Sequence, residues 1–187
     1  MDFPWGSNYH QKFITNVGLI TSDGPHGPNI MAAEWTYLVA YTPAHILISV
    51  GHTKATAENI LKTKKFGVSI AAENQNWISS IAGGSSGKST NKIDALKEMG
   101  VAFSTGEKTK LPLVEGAALQ AEVEVIQTIT AGDKTLFLGK VLDARTTDAK
   151  PLAYHENKYW KMDTLLEKPS TQEREKMSTI VAAHQKK

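Results

Sequence analysis

Leu119, Ala121, Val123 and Val125 alternate with Gln120, Glu122 and Glu124, the period-two pattern of a strand with one face in a core and the other in water. Ala131-Gly132-Asp133-Lys134 then reads as a turn into Thr135 to Ala144, which predicts a long antiparallel pair. Nearer the N-terminus, Val17 to Ser22 is apolar and β-branched, and the turn-rich Asp23 to Pro28 leads into Asn29 to Trp35, a hairpin signal. Ala44 to Val50 is a short apolar run between Pro43 and Gly51, and it predicts a strand buried on both faces. After Gly51 the period changes. Ala57, Ile60 and Leu61 fall at helical spacing, with Glu58 in the first turn and Lys62, Lys64 and Lys65 crowding the end, as a helix dipole favours.

Phe66 to Ala71 returns to strand character, Trp77 to Ile81 predicts a brief helix before the glycine and serine cluster Gly83 to Thr90, and Ile93 to Met99 predicts another. Tyr154 to Met162, broken at His155-Glu156-Asn157-Lys158, reads as a smaller hairpin. From Pro169 the pattern is helical again: Ser170 and Glu173 have capping-box spacing, and Met177, Ile180, Val181 and His184 form one apolar-leaning stripe. The expectation is a mainly β domain with short helices over residues 1–165, followed at 166–187 by a C-terminal amphipathic helix and basic tail that must dock somewhere.

Composition narrows the functional classes. The 187 residues suit one compact domain. Twenty-one basic and 19 acidic residues are spread along the chain for a formal charge of +2, which offers no basic face for nucleic acid. With no cysteine there is no disulfide, thiolate nucleophile or cysteine-held metal. The six histidines show no metal-ligand spacing, and there is no G-x-S-x-G elbow. Neither a signal-peptide pattern nor an apolar run approaching ~20 residues is present, which gives the expectation of a cytoplasmic protein away from the membrane.

Three segments offer binding chemistry. Gly83-Gly84-Ser85-Ser86-Gly87-Lys88-Ser89-Thr90 resembles a phosphate loop, but Ala82 stands where a Walker A motif needs glycine, and the segment follows a helical pattern instead of a strand. Its backbone N–H groups, with Lys88 or Lys92, suit an anion; a solvated surface loop is the alternative. His52-Thr53-Lys54-Ala55-Thr56 opens a helix, so it suits a phosphate or is simply capped by Thr53. Asn29 to Trp35 puts small side chains beside a large aromatic, which lets main chain approach a flat ligand, or else it is a core strand with Trp35 buried.

The order of segments resembles the flavin reductase-like family, over about Asn16 to Met162. The resemblance rests on Asn29-Ile30-Met31-Ala32-Ala33-Glu34-Trp35; Tyr41-Thr42-Pro43 leading into Ile46 to Val50; Lys54-Ala55-Thr56-Ala57-Glu58-Asn59-Ile60 before Phe66 to Ile70; Ser86-Gly87-Lys88 with Asn91-Lys92; and Leu136 to Val141. It implies an FMN-binding split β-barrel, a Greek-key antiparallel barrel, with the flavin in a cleft shared by two subunits of a homodimer. Main chain at Met31, Ala32, Ala33 and Glu34, with Trp35, is implied to line the isoalloxazine. Ser49, Val50, Thr53, Lys54 and Thr56 are implied near the ribityl chain or phosphate, and Ser86, Gly87, Lys88 and Lys92 on a second phosphate-side loop. Three positions depart from the family: Ala32 replaces a common threonine, Glu34 a small hydroxyl residue and Lys54 a frequent arginine.

The activity implied is transfer of hydride from NADH or NADPH to FMN, with no catalytic acid–base pair and, absent a G-x-G-x-x-G fingerprint, no dinucleotide domain. The alternative is a flavoredoxin-type electron carrier with a protein partner and no NAD(P)H oxidation of its own. A barrel that binds no flavin and serves as an interaction module is the third reading.

Overall fold

The computed structural model describes residues 1–184; the last part of the expected basic tail, Gln185 to Lys187, lies outside the described residues. Seven strands form one antiparallel sheet. In chain order they are β2 (Gly18–Ser22), β3 (Asn29–Ala33), β4 (Thr36–Tyr41), β5 (Ala44–Gly51), β6 (Lys65–Ile70), β9 (Leu119–Ala131) and β10 (Lys134–Thr146). The spatial order is β3-β2-β6-β9-β10-β5-β4. Its two edge strands, β3 and β4, are consecutive in sequence and joined only by Glu34 and Trp35, so the sheet has to curl until its edges meet. The link itself is tied to β5, the Ser49 N–H donating to the Trp35 carbonyl at 3.1 Å. The result is a split β-barrel.

The barrel interior is filled by inward-facing Ile20, Ile46, Ile48, Val50, Phe66, Val68, Ala121, Val123 and Phe137, closed at one end by Ala57 and Ile60 of helix α1 (Ala55–Thr63). A second apolar cluster lies outside the barrel, where Leu19 and Ile30 meet Ile78 and Ala82 of α2 (Asn76–Gly84) and Ile93 and Leu96 of α3 (Lys92–Glu98). Between α3 and β9 runs a hairpin of β7 (Phe103–Thr105) and β8 (Pro112–Val114), and β1 (Thr15–Asn16), β11 (Ala153–His155) and β12 (Lys158–Trp160) form a small separate sheet. Its turn at Glu156 and Asn157 takes two consecutive positive φ angles.

Two expectations are corrected. β5 is not buried on both faces: Ile46, Ile48 and Val50 enter the core, while Leu47 and Ser49 face a cavity on the outside. The polar face of β9 is not wet along its first half. Gln120 and Glu122 are buried under the β7–β8 hairpin, and Glu122 accepts from the Lys108 and Thr109 N–H groups and the Thr109 hydroxyl. Burial, the largest single effect, pushes its carboxyl up, and those donors together outweigh it and hold the group below the usual range.

The final helix, α4 (Thr171–Ala183), starts with the expected capping box, Ser170 Oγ accepting from the Glu173 N–H at 3.3 Å. It buries none of its side chains in the single chain. No described helix is long and apolar enough to cross a membrane.

Candidate functional site

Three cavities branch from Ala32 on the outer face of β3. The first, a cradle of about 340 Å³, lies between β3, the start of α1 and the segment from the end of α2 to Gly87. Asn29 and Thr56 form its floor, the Asn29 amide donating to Thr56 Oγ1 at 2.8 Å. Gly87 crosses directly above Asn29, where any Cβ would overlap the amide, so only glycine fits this crossing. The Asn29 Oδ1 atom is buried without a hydrogen-bond partner.

Two lysines face the cradle, and among the described residues no acidic side chain lines it. Lys92 is 2% exposed, and its ammonium donates to the Ala82 carbonyl at 2.8 Å and the Ser85 carbonyl at 3.3 Å, at the end of α2. Burial first and the Lys54 charge second lower its pKa from 10.5 to about 8. Lys54 is the N-cap residue of α1 and makes no side-chain capping bond. The helix therefore opens with free N–H groups beside a cation, the arrangement that favours an anion. Capping by Thr53 is not what the structure has; Thr53 is exposed and lines neither the cradle nor the cavity beside it.

The second cavity is a slot of about 760 Å³, bounded on one side by Met31 to Trp35 and on the other by Ser49, Gly51, Lys54 and the β9–β10 turn at Gly132, Asp133 and Lys134. Trp35 is half-buried against this slot, which excludes the core-strand reading. The Lys134 ammonium sits 5.7 Å from the centre of its ring, within cation–π range. The N-terminal segment lies over the slot, contributing Phe3, Trp5 and His10. His10 is buried; its Nδ1 accepts from the Gly6 N–H at 3.2 Å and its Nε2 lies 2.8 Å from Glu34 Oε1. Because Nδ1 is an acceptor, the proton is on Nε2, which donates to the carboxylate.

The third cavity, about 350 Å³, is lined by Trp5, Glu34, Tyr154, Tyr159 and, from α2, Ser79, Ser80, Gly83 and Gly84. Tyr154 and Tyr159 pack with ring centres 5.5 Å apart.

Of the residues implied by the family resemblance, Met31, Ala32, Ala33, Glu34, Trp35, Ser49, Lys54, Thr56, Ser86, Gly87 and Lys92 line the cradle or the slot. Val50 and Lys88 join Thr53 in lining neither. Val50 points into the barrel core. Lys88 is held 2.5 Å from Glu58, which also takes His26 Nε2 at 2.5 Å. These two partners keep the Glu58 carboxyl below its ordinary range, and they tie the loop carrying Lys88 to α1 and to the β2–β3 turn. The residue types alone did not reveal Asn29 as a floor residue, or the N-terminal segment, or the turn at Gly132 to Lys134. The aromatic spacing of Phe3, Trp5 and His10 has no periodicity that would have marked it.

An antiparallel barrel carrying a cationic cradle beside a flat slot defines a class of protein, and comparison with known sequences places this member. The Flavin reductase like domain matches residues 10–163, and the chain belongs to that family. An uncharacterised protein of Pyrococcus abyssi is 32% identical over 134 residues, covering 72% of this chain and 75% of its own. The NADH-dependent flavin reductase of a Rhodococcus species is 25% identical over 160 residues, covering 82% and 83%. Among solved structures, flavin reductase PheA2 in its native state superposes with a TM-score of 0.73 at 29% identity, covering 88% of this chain and all of the other.

Proposed function

We propose that this protein binds FMN non-covalently and oxidises NADH or NADPH, acting as an NAD(P)H:flavin oxidoreductase of the cytoplasm. The observation that carries the reading is the junction of cradle and slot: Met31, Ala32 and Lys54 line both, so a ligand with a phosphate at one end and a flat ring at the other fits one continuous groove. The residues present suit that ligand. Lys54 and Lys92 repel each other across a cavity with no counter-charge, and a phosphate relieves that repulsion. Small side chains at Ala32 and Ala33 leave main chain open to a ring, with Trp35 beside it.

In this reading Lys54, Lys92, Ser86 and the opening N–H groups of α1 hold the phosphate, Thr56 and Ser49 face the chain that follows, and Met31 to Trp35 line the ring. FMN when bound supplies the redox chemistry, taking hydride at N5 from a nicotinamide. The chain's own contribution is to orient both rings and exclude water, and the cover provided by Phe3 and Trp5 serves the second role.

A second copy of the chain is part of the proposal. An apolar cavity of about 500 Å³ next to the slot, lined by Phe13, Trp35, Tyr37, Leu47 and Leu136, stays open in the single chain, and the residues of the stripe on α4 are exposed. Both surfaces become useful if a partner subunit completes the cleft.

The deciding experiment is an FMN titration followed by anaerobic addition of NADH and NADPH. Bleaching of the flavin band by either nucleotide is the expected result. Bleaching only by another reduced protein would favour the electron carrier, and a protein that fails to quench FMN fluorescence at micromolar concentration would end the reading. A monomeric mass with flavin bound would remove the shared cleft.

A further inference from the structure

The charges around the slot do not cancel evenly. Among the described residues, the acids that line it are Asp2, Glu34 and Asp133, and the bases are Lys54 and Lys134. Lys54 also lines the cradle, where a phosphate takes up its charge, and Lys134 is paired with Asp133. Asp2 is exposed to water. Glu34 is different: its side chain is only 19% exposed, and its partner is a neutral ring, since His10 spends its one N–H on the carboxylate while Nδ1 accepts from the Gly6 N–H. That hydrogen bond fixes the carboxylate in place and leaves its charge standing. Neighbours on two other elements feel the charge, for the phenols of Tyr37 on β4 and Tyr154 on β11 are both raised, by burial first and by Glu34 second.

We propose that Glu34 sets the charge of the reduced flavin, holding the ring neutral at pH values where free reduced FMN has already lost a proton and become an anion. The proposal rests on the reading of the slot as the ring site. In that reading a hydride leaves the nicotinamide C4 with the bonding electron pair and reaches flavin N5, which makes the flavin ring an anion; a proton from water, taken at N1, then neutralises it. A fixed carboxylate in the wall of the slot, under the cover of Phe3 and Trp5, repels the anion and so strengthens the hold on that proton. Glu34 is one of the three departures from the family pattern, so the effect belongs to this chain. It has a redox consequence. Each proton taken up with two electrons adds about 30 mV per pH unit to the fall of the midpoint potential, so with Glu34 the steeper two-proton slope of about 59 mV persists to higher pH. In alkaline solution the bound flavin is therefore a stronger reductant than it would be with glutamine at this position.

The test loads the full chain with FMN, reduces it with dithionite in the absence of oxygen, and titrates it with base while the absorbance of the reduced ring is followed, with free FMN run alongside. The expected result is that the protein-bound ring loses its proton about one pH unit later than free reduced FMN, a roughly tenfold gain in proton affinity. Glu34→Gln keeps an acceptor for His10 Nε2 and should move the transition back by about that unit. Midpoint potentials read against a reference dye should agree: the two proteins coincide below both transitions, and above them Glu34→Gln lies about 30 mV higher. A transition in the natural chain at or below that of free FMN, or one that Glu34→Gln does not move, overturns the proposal. The comparison with free FMN needs no variant, so it decides the matter even if the glutamine protein folds poorly. Failure to bind oxidised FMN is seen before any reduction and removes the proposed function together with this inference, whereas bound FMN with an unshifted transition removes this inference alone.

Discussion

The cradle and the slot meet at Ala32, yet they are built in different ways. The cradle draws on three separate elements, the start of α1, the end of α2 with its following turn, and β3 at Asn29, Met31 and Ala32, and it carries two lysines with no acid lining it among the described residues. The slot is one stretch of strand and its two-residue link to β4, faced by a hairpin turn and roofed by the N-terminal segment. One arm carries positive charge alone before any ligand arrives; the other sets aromatic and small side chains among charges of both signs, and its Glu34 carboxylate is held by His10. Preorganised charge gives affinity for a phosphate wherever it is attached, whereas a flat slot discriminates by shape. The difference teaches that ligand affinity and ring orientation can be changed separately.

Riboflavin, which lacks the phosphate, separates the two arms. The largest expected effect is that of Lys54→Ala combined with Lys92→Met, which should cost about 4 kcal/mol of FMN affinity and leave riboflavin nearly untouched. Equal losses for both flavins in a fluorescence titration would mean that the cradle does not hold the phosphate. Lys54→Ala alone should weaken FMN by about 1.5–3 kcal/mol, and unchanged affinity removes Lys54 from the site.

Lys92 adds a pH dependence whose sign is fixed by its lowered pKa of about 8. Phosphate favours the ammonium form, so FMN affinity should fall as pH rises through 8, and Lys92→Met should flatten that profile. The free protein behaves the other way. Between about 8 and 10.5 the unfolded chain holds the Lys92 proton and the folded chain does not, so this group makes stability rise with pH across that window. Chemical denaturation of the flavin-free protein at both ends of the window checks it.

Gly87→Ala should cost about 1–2 kcal/mol of FMN affinity, because the added Cβ meets the Asn29 amide and the turn above the cradle has to shift. The smallest effect is expected at the roof. His10→Ala removes one charge-assisted hydrogen bond, worth about 1 kcal/mol, and should lower Tm by about 2–4 °C without altering the FMN to riboflavin ratio. A change in that ratio would show that the N-terminal segment reaches the phosphate side.

Much of the framework was legible in residue order. The alternation at Leu119 to Val125, the turn at Gly132 and the capping box at Ser170 are local signals, and each produced the expected element. Signals of that kind also brought the Met31 strand, the Lys54 helix start and the Ser86 to Gly87 turn forward as candidates. Less visible was which face of β5 would be covered, since an unbroken apolar run carries no period from which to read a side. The same holds for Glu122, whose burial depends on a hairpin about ten residues earlier in the chain folding over it.

Local pattern, then, determined the elements, the two lysine-bearing turns and the small residues between them, because helix starts, strand periods and turns depend on neighbours within a few residues. Tertiary structure alone decided that Lys92 is buried and Lys88 is tied to Glu58, that Val50 faces inward, and that His10 reaches Glu34. Those outcomes follow from barrel closure, which brings residues dozens of positions apart within hydrogen-bonding distance and sets the solvation of each charge by what packs around it.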